Sequence, residues 1–204
     1  MKTLSTQHFT QLPVPLDAAI LPEVYVRGAF SFEKLDGRID RINSWRALQF
    51  RYARLVLITL AYIGARPSSG DQFEPLIQMY LQRTSSFARC ESAAFRTEEA
   101  LLDWMSKQQA RTPAIAVLLD SRGRQMNSEA FAAWLGSRRD EGAQHIVFAI
   151  GPASGWSEAS RQRARLLLSL GQLTLAHALA RVVMAEQIYR ASTILTGHPY
   201  HTGH

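Results

Sequence analysis

Cysteine is almost missing from this chain. Cys90 stands alone among 204 residues, which excludes an internal disulfide and a thiolate zinc site built on CxxC pairs and leaves Cys90 a packing role. Long apolar runs are missing as well. The longest, Leu55 to Ile63, is broken by Thr59 and falls far short of the roughly 20 residues that cross a bilayer as a helix, so no membrane span is expected. The opening Met1-Lys2-Thr3-Leu4-Ser5-Thr6-Gln7-His8 carries a lysine but no apolar stretch behind it and does not read as a secretory signal; a cytoplasmic location is expected. Lysine is scarce too: Lys2, Lys34 and Lys107 stand beside 20 arginines. Arginine offers a planar fork suited to phosphates and bases, although an arginine-rich genome accounts for the bias equally well. The tail spaces His198, His201 and His204 by three, but Pro199 and Gly203 prevent a helical face and no cysteine or carboxylate accompanies them. No metal is therefore expected.

What is present has the profile of a globular protein, 47% hydrophobic and 20% charged, with one core or at most two. The net charge of +6 points to an anionic partner, since scattered positive charge raises the local concentration of polyanions. Residues 1–53 hold Pro13, Pro15 and Pro22 and no sustained apolar period, apart from a short helix suggested across Ile39 to Tyr52; they read as an N-terminal extension of uncertain structure. From residue 54 onward strand and helix patterns alternate, which predicts an α/β domain with a mostly parallel sheet and helices on both faces.

The expected order begins with a strand over Leu55–Tyr62 and a helix over Gln72–Arg83 that puts Phe73, Ile77, Tyr80 and Leu81 on one face. A short strand near Phe87–Cys90 follows, then a helix capped by Thr97. The next strand, Ile115–Leu119, ends at Asp120 and turns through Ser121-Arg122-Gly123-Arg124, with Asn127 or Ser128 capping the following helix. A strand over His145–Ile150 leads into the loop Gly151-Pro152-Ala153-Ser154-Gly155, Ser157-Glu158 opens another helix, and Leu166–Leu175 is mostly apolar. The last helix runs over Ala178–Leu195. Between Ala178 and Ala191 only Arg181, Glu186, Gln187 and Arg190 are polar, and a helix apolar nearly all round must be covered on more than one side. A partner subunit and a central place within one subunit are equally good covers on this ground. Taken alone, Glu186 and Arg190 at i and i+4 are an ordinary ion pair. The Gly151 loop alone reads as an ordinary turn ahead of a ligand-cradling one, and the clusters Arg161, Arg163, Arg165 and Arg138-Arg139 read as solvated surface ahead of phosphate contact.

Read together, these segments resemble one family. The run from Leu173 to Ala191, LTLAHALARVVMAEQIYRA, followed by His198-Pro199-Tyr200-His201, is similar to the pattern LTLPHPLVRVLVAEQIYRA and HPYH of the RlmH family of SPOUT methyltransferases. Leu118-Leu119-Asp120, Phe148-Ala149-Ile150-Gly151 and Tyr80 to Arg83 match further segments, so the resemblance covers the chain from residue 54 to 204. It departs from the pattern at Pro152, which replaces a glycine, at Ala176 and Ala178, which replace prolines, and at Thr202, which replaces a basic residue.

The resemblance implies a SPOUT α/β-knot with a C-terminal trefoil knot, a homodimer, and transfer of a methyl group from S-adenosyl-L-methionine to N3 of a pseudouridine in large-subunit ribosomal RNA. Backbone groups of Leu119, Gly151, Leu170, Gly171, Gln172, Leu173, Thr174 and Leu175 would hold the cofactor. Catalysis would fall to Arg190, Tyr200 and His201, with Tyr200 and His201 handling the proton and Arg190 stabilising an anion or contacting phosphate. A second reading keeps the fold but loses the chemistry: an impaired RNA- or ribosome-binding module, motivated by Pro152 and the lost prolines. Affinity for the cofactor separates the two.

Overall fold

The structure, a computed structural model, describes residues 56–108 and 112–201, and of His201 the backbone only. The extension over residues 1–53 and its suggested helix lie outside the described residues. Five strands and five helices follow in the expected alternation: β1 Leu57–Ile63, α1 Glu74–Thr84, β2 Arg89–Phe95, α2 Glu98–Ser106, β3 Ile115–Gln125, α3 Ser128–Asp140, β4 His145–Ile150, α4 Glu158–Arg163, β5 Leu166–Ser169 and α5 His177–Thr196, closed by a 3₁₀ turn over Pro199–His201. Three helix starts are set by the side chains the sequence offers. Thr97 accepts from the Ala100 amide at 3.2 Å, Asn127 from Ala130 at 2.8 Å and Ser157 from Ser160 at 3.2 Å, each satisfying an amide that the first turn leaves without a partner.

All neighbouring strands are parallel, in the order β2-β1-β4-β3-β5. Helices α1, α3 and α5 cover one face, where Leu60, Ile77, Leu81, Phe131, Phe148, Met184 and Ile188 pack together. The other face is covered from α2 and the segment around α4 by Leu101, Trp104 and Trp156. Polar groups inside the sheet are paired. The Thr59 hydroxyl donates to Glu91 at 3.0 Å, so the His145 ring nitrogen 2.8 Å away must be the donor to the Thr59 oxygen. Cys90 is half-buried on β2, and burial with the nearby Glu91 pushes its thiol up to about 12, the unreactive packing residue expected.

Three expectations are corrected. β2 extends to Phe95 because, as an edge strand bonded only to β1, it carries the mixed sequence Arg-Cys-Glu-Ser-Ala-Ala-Phe, which has no clean alternation to read. β3 does not stop at Asp120. It bulges and resumes pairing with β5 at Arg124↔Leu168 and Gln125↔Ser169, so Ser121 to Arg124 belong to the strand and not to a free turn. Phe73 sits at the start of α1 and is 39% exposed, while Ile77 and Leu81 carry that helix into the core.

The connection leaving β1 runs outward to β2, and the one leaving β4 runs the opposite way to β5. Adjacent parallel strands whose connections diverge leave a crevice at their carboxyl ends, which is where ligands of open α/β sheets bind.

Candidate active site

At the carboxyl end of β4, Gly151 is required by a close approach. A Cβ there would lie 2.8 Å from the indole of Trp156, which is only 3% exposed. The indole N–H donates to the Leu119 carbonyl at 2.9 Å, so Trp156 ties β3, just before its bulge, to the end of β4 and already occupies one acceptor position of Leu119. The turn after Trp156 is anchored by Glu98, which accepts from the Ser157 amide and hydroxyl and from the Ser160 hydroxyl. Burial pushes this carboxyl up, but the hydrogen bonds from Ser160 and Ser157 and the charge of Arg161 outweigh it and hold it below its ordinary 4.5. A depressed folded-state value gives stability that is present above the unfolded value and lost as pH falls through the folded one. The melting temperature of the native chain should therefore exceed that of a Glu98→Gln chain by a constant margin above pH 4.5, with the margin shrinking below it. A margin that does not change with pH would show that the charge of Glu98 is not what anchors the turn.

Leu170 and Gly171 line a cleft of about 440 Å³ with Gln125, Met126, Phe131, Met184 and Gln187. Gln172, Leu173 and Thr174 are exposed, Leu173 at 84%, and Leu175 is half-buried. The eight positions expected at the cofactor thus fall into three places: Leu119 and Gly151 at the Trp156 contact, Leu170 and Gly171 in the cleft, and the remainder on a loop open to solvent. The loop is pinned at its start by Ser169, whose hydroxyl donates to the Gly171 carbonyl at 2.9 Å. At its end His177 is bonded to the backbone of Ile63, and its other ring nitrogen is buried without a partner.

Arg190 and Tyr200 are brought together by Glu186. One carboxylate oxygen accepts from Arg190 Nε at 2.9 Å, from Arg190 Nη2 at 2.7 Å and from the Tyr200 hydroxyl at 3.1 Å, while the other accepts from Gln187 at 2.7 Å. The guanidinium lies over the Tyr200 ring at 5.0 Å, and Tyr189 meets that ring edge-on at 4.7 Å. Burial, the hydrogen bond with Tyr80 and the Glu186 charge raise the Tyr200 hydroxyl well above its ordinary value, so it stays protonated. Hydrogen bonds from Arg190 to Glu186 raise the guanidinium in turn. Gln187 joins this cluster to the cleft, since it lines the cleft and takes a bond from Ser128 at 3.2 Å. His201 lies in the 3₁₀ turn beside Tyr200.

Glu186, Trp156 and Gln187 were not among the expected site residues. The i, i+4 spacing of Glu186 and Arg190 was the one signal available, and an ordinary ion pair has the same spacing. Among the described residues no group of three histidine, cysteine or carboxylate side chains is placed to hold a metal ion, and no helix is long and apolar enough to cross a membrane.

A parallel sheet with helices on both faces, a cleft beside the last helix and a charged cluster on that helix define an α/β fold with a candidate ligand site. Residues 57–201 match the family described as "Predicted SPOUT methyltransferase", and the chain belongs to it. The "Ribosomal RNA large subunit methyltransferase H" of Koribacter versatilis is 45% identical over 147 residues, covering 72% of this chain and 99% of the relative. The protein of the same name from Brucella ovis is 43% identical over 142 residues, covering 69% and 83%. Among solved structures, the SpoU methyltransferase AviRb from Streptomyces viridochromogenes in complex with AdoMet matches at 16% identity with a TM-score of 0.41, covering 67% of this chain and 60% of that one.

Proposed function

We propose that this protein is the ribosomal RNA large-subunit methyltransferase its relatives are named for, transferring the methyl group of S-adenosylmethionine to N3 of a pseudouridine, in the cytoplasm and as a homodimer. The observation that carries the reading is the Glu186 cluster, which holds a cation and a protonated phenol beside a ligand-sized cleft on one helix. The cleft fits the cofactor in size and in having both kinds of lining: about 440 Å³, with Met126, Phe131, Leu168 and Met184 as apolar wall and Gln125, Asn127, Ser169 and Gln187 as polar groups, room for a nucleoside-sized ligand. Leu170 and Gly171 would hold it there, the loop over Gln172 to Leu175 would cover it, and Leu119 and Gly151 would border it at the strand ends. When bound, the cofactor supplies an electrophilic sulfonium methyl. The chain's own part is to orient the base in line with that methyl and to manage the N3 proton. Arg190 stabilises negative charge as it develops on the base, Tyr200 donates a hydrogen bond with the proton it retains, and His201 takes the N3 proton. Ribosomal RNA from cells lacking the gene should contain no N3-methylpseudouridine, and the purified chain should restore it. Unaltered RNA nucleosides by mass spectrometry would sink the reading.

The dimer is supported by what α5 leaves uncovered. Met184, Ala185, Ile188 and Ala191 are buried within the chain, but Leu179 is 40% exposed and the neighbouring α1 shows Phe73 at 39% and Leu76 at 45%. Val182, Val183 and Glu186 on the same flank are half-buried. A second copy would cover this flank. The proposed domain is residues 54–204, with residues 1–53 an extension it would not need, and the knot that the resemblance implies would lie between β4 and α5, in the stretch that passes through the edge strand β5 before α5 packs against β1 and β4. Sedimentation at micromolar concentration should give a dimer for the full chain and for a chain without residues 1–50. A stable monomer in either case would count against the corresponding claim.

A further inference from the structure

The arginines at the open edge of the sheet take no part in the site above, and the fold gathers them. Beyond Leu119, β3 bulges before it pairs again with β5 at Arg124, and the bulge is clamped in place. Gly123 approaches the Leu167 backbone so closely that a Cβ would lie 2.6 Å from its carbonyl carbon, so only glycine fits there. Asp120 receives Arg161 of α4 at 2.7 Å and the Arg122 amide at 2.9 Å, and the Arg165 amide donates to the Ala116 carbonyl at 2.8 Å. These bonds fix Arg122 and Arg124 of β3 on the same edge as Arg163 and Arg165, which lead into β5. All four are exposed. The nearby carboxylates are already engaged, because Asp120 and Glu158 both pair with Arg161 and Arg122 shares Asp120 at 3.4 Å. Arg124, Arg163 and Arg165 have no carboxylate partner among the described residues.

Arg124, opposite Leu168 near the end of β5, and Arg163 and Arg165, just before its start, are thus cations without counter-charges set along one clamped edge strand. We propose that this edge is a contact surface for the phosphate backbone of folded RNA, separate from the cluster that handles the reacting base; the inference rests on the rRNA methyltransferase reading and deepens it. Guanidinium forks suit phosphate oxygens bidentately, and such contacts set register and orientation without reading sequence. The edge would align the RNA while the Glu186 cluster works on one nucleotide.

The test uses the full chain and an Arg124→Ala/Arg163→Ala/Arg165→Ala variant, titrated against large-subunit rRNA transcript and against purified large subunits between about 50 and 200 mM salt. Each phosphate contact contributes about 0.7 to 0.9 to the slope of log affinity against log salt, from single strand to duplex. The variant should therefore lose roughly two to three units of slope and bind transcript at least tenfold more weakly at low salt, with cofactor affinity and melting unchanged. Replacing the three arginines by lysine should restore most of the slope. Should the triple variant fold poorly, the single Arg124→Ala and Arg163→Ala chains should each lose about one unit. Unchanged slope and affinity overturn the proposal. So does weakened binding to subunits with normal binding to transcript, which would make the partner a ribosomal protein. Native chain that binds transcript with the full slope yet transfers no methyl group to large subunits from cells lacking the gene would overturn the enzymatic reading alone and leave the surface supported.

Discussion

A Gly151→Val chain should bind S-adenosylmethionine at least tenfold more weakly than the native chain and melt several degrees lower. The residue type matters here because of what lies behind it. A Cβ at 2.8 Å from the Trp156 indole cannot be accepted without moving a ring that is almost fully buried, and overpacking of this kind costs about 1–3 kcal/mol. Moving the ring also breaks its bond to the Leu119 carbonyl, which leaves a part-buried acceptor without that partner. Leu119 of β3 and the end of β4 then lose their common tie, and the crevice beside β4 is disturbed with them. Calorimetric titration measures the affinity, and a double-mutant cycle isolates the cause. In a Trp156→Ala background, which removes the ring, Gly151→Ala should cost much less than it does in the native chain. Costs that simply add would show that the close approach is not the reason for the glycine.

An Arg190→Met chain should lose about 10²- to 10³-fold in the single-turnover rate of methyl transfer with cofactor affinity within a factor of two of native. The guanidinium is held by Glu186 and stacked on Tyr200, so it is positioned before any substrate arrives, and preorganised charge is most effective where charge develops only in the transition state. Tyr200→Phe removes the phenol donor but keeps the ring under the guanidinium, and should cost less in rate than Arg190→Met. Since both residues also pin the tail to α5, melting is measured beside the rates. A slow Arg190→Met chain with near-native melting supports a role in the chemical step. Rate and melting that fall in parallel would reduce the cluster to a structural clasp, and a native rate would remove Arg190 from the mechanism.

Much of the fold was legible because the signals were local. Thr97, Asn127 and Ser157 mark helix starts by side-chain chemistry that acts within one turn, and β4 was read to the residue because all six positions are buried and the five after His145 form an unbroken apolar run. The overrun of β3 was hidden for the converse reason. Its polar residues pair with β5 at an exposed edge, and the glycine that reads as a turn is there to let two backbones touch. The site was legible in part. Arg190 and Tyr200 were named through the resemblance, and their meeting depends on a carboxylate whose spacing looked ordinary. Trp156 left no signal at all, since its role rests on a contact with Leu119, 37 positions earlier in the chain.

The last helix carries both halves of the site on one rod. The loop over Leu170 to Leu175 ends just before His177, and Glu186 follows nine positions later, about 14 Å along the axis. Within such a rod, substitutions can be absorbed one at a time, but a single inserted or deleted residue between His177 and Glu186 turns everything beyond it by about 100°. Glu186, Arg190 and the turn that bears Tyr200 would then swing away from the cleft together. This stretch should accordingly vary in composition among descendants of the gene while keeping its length.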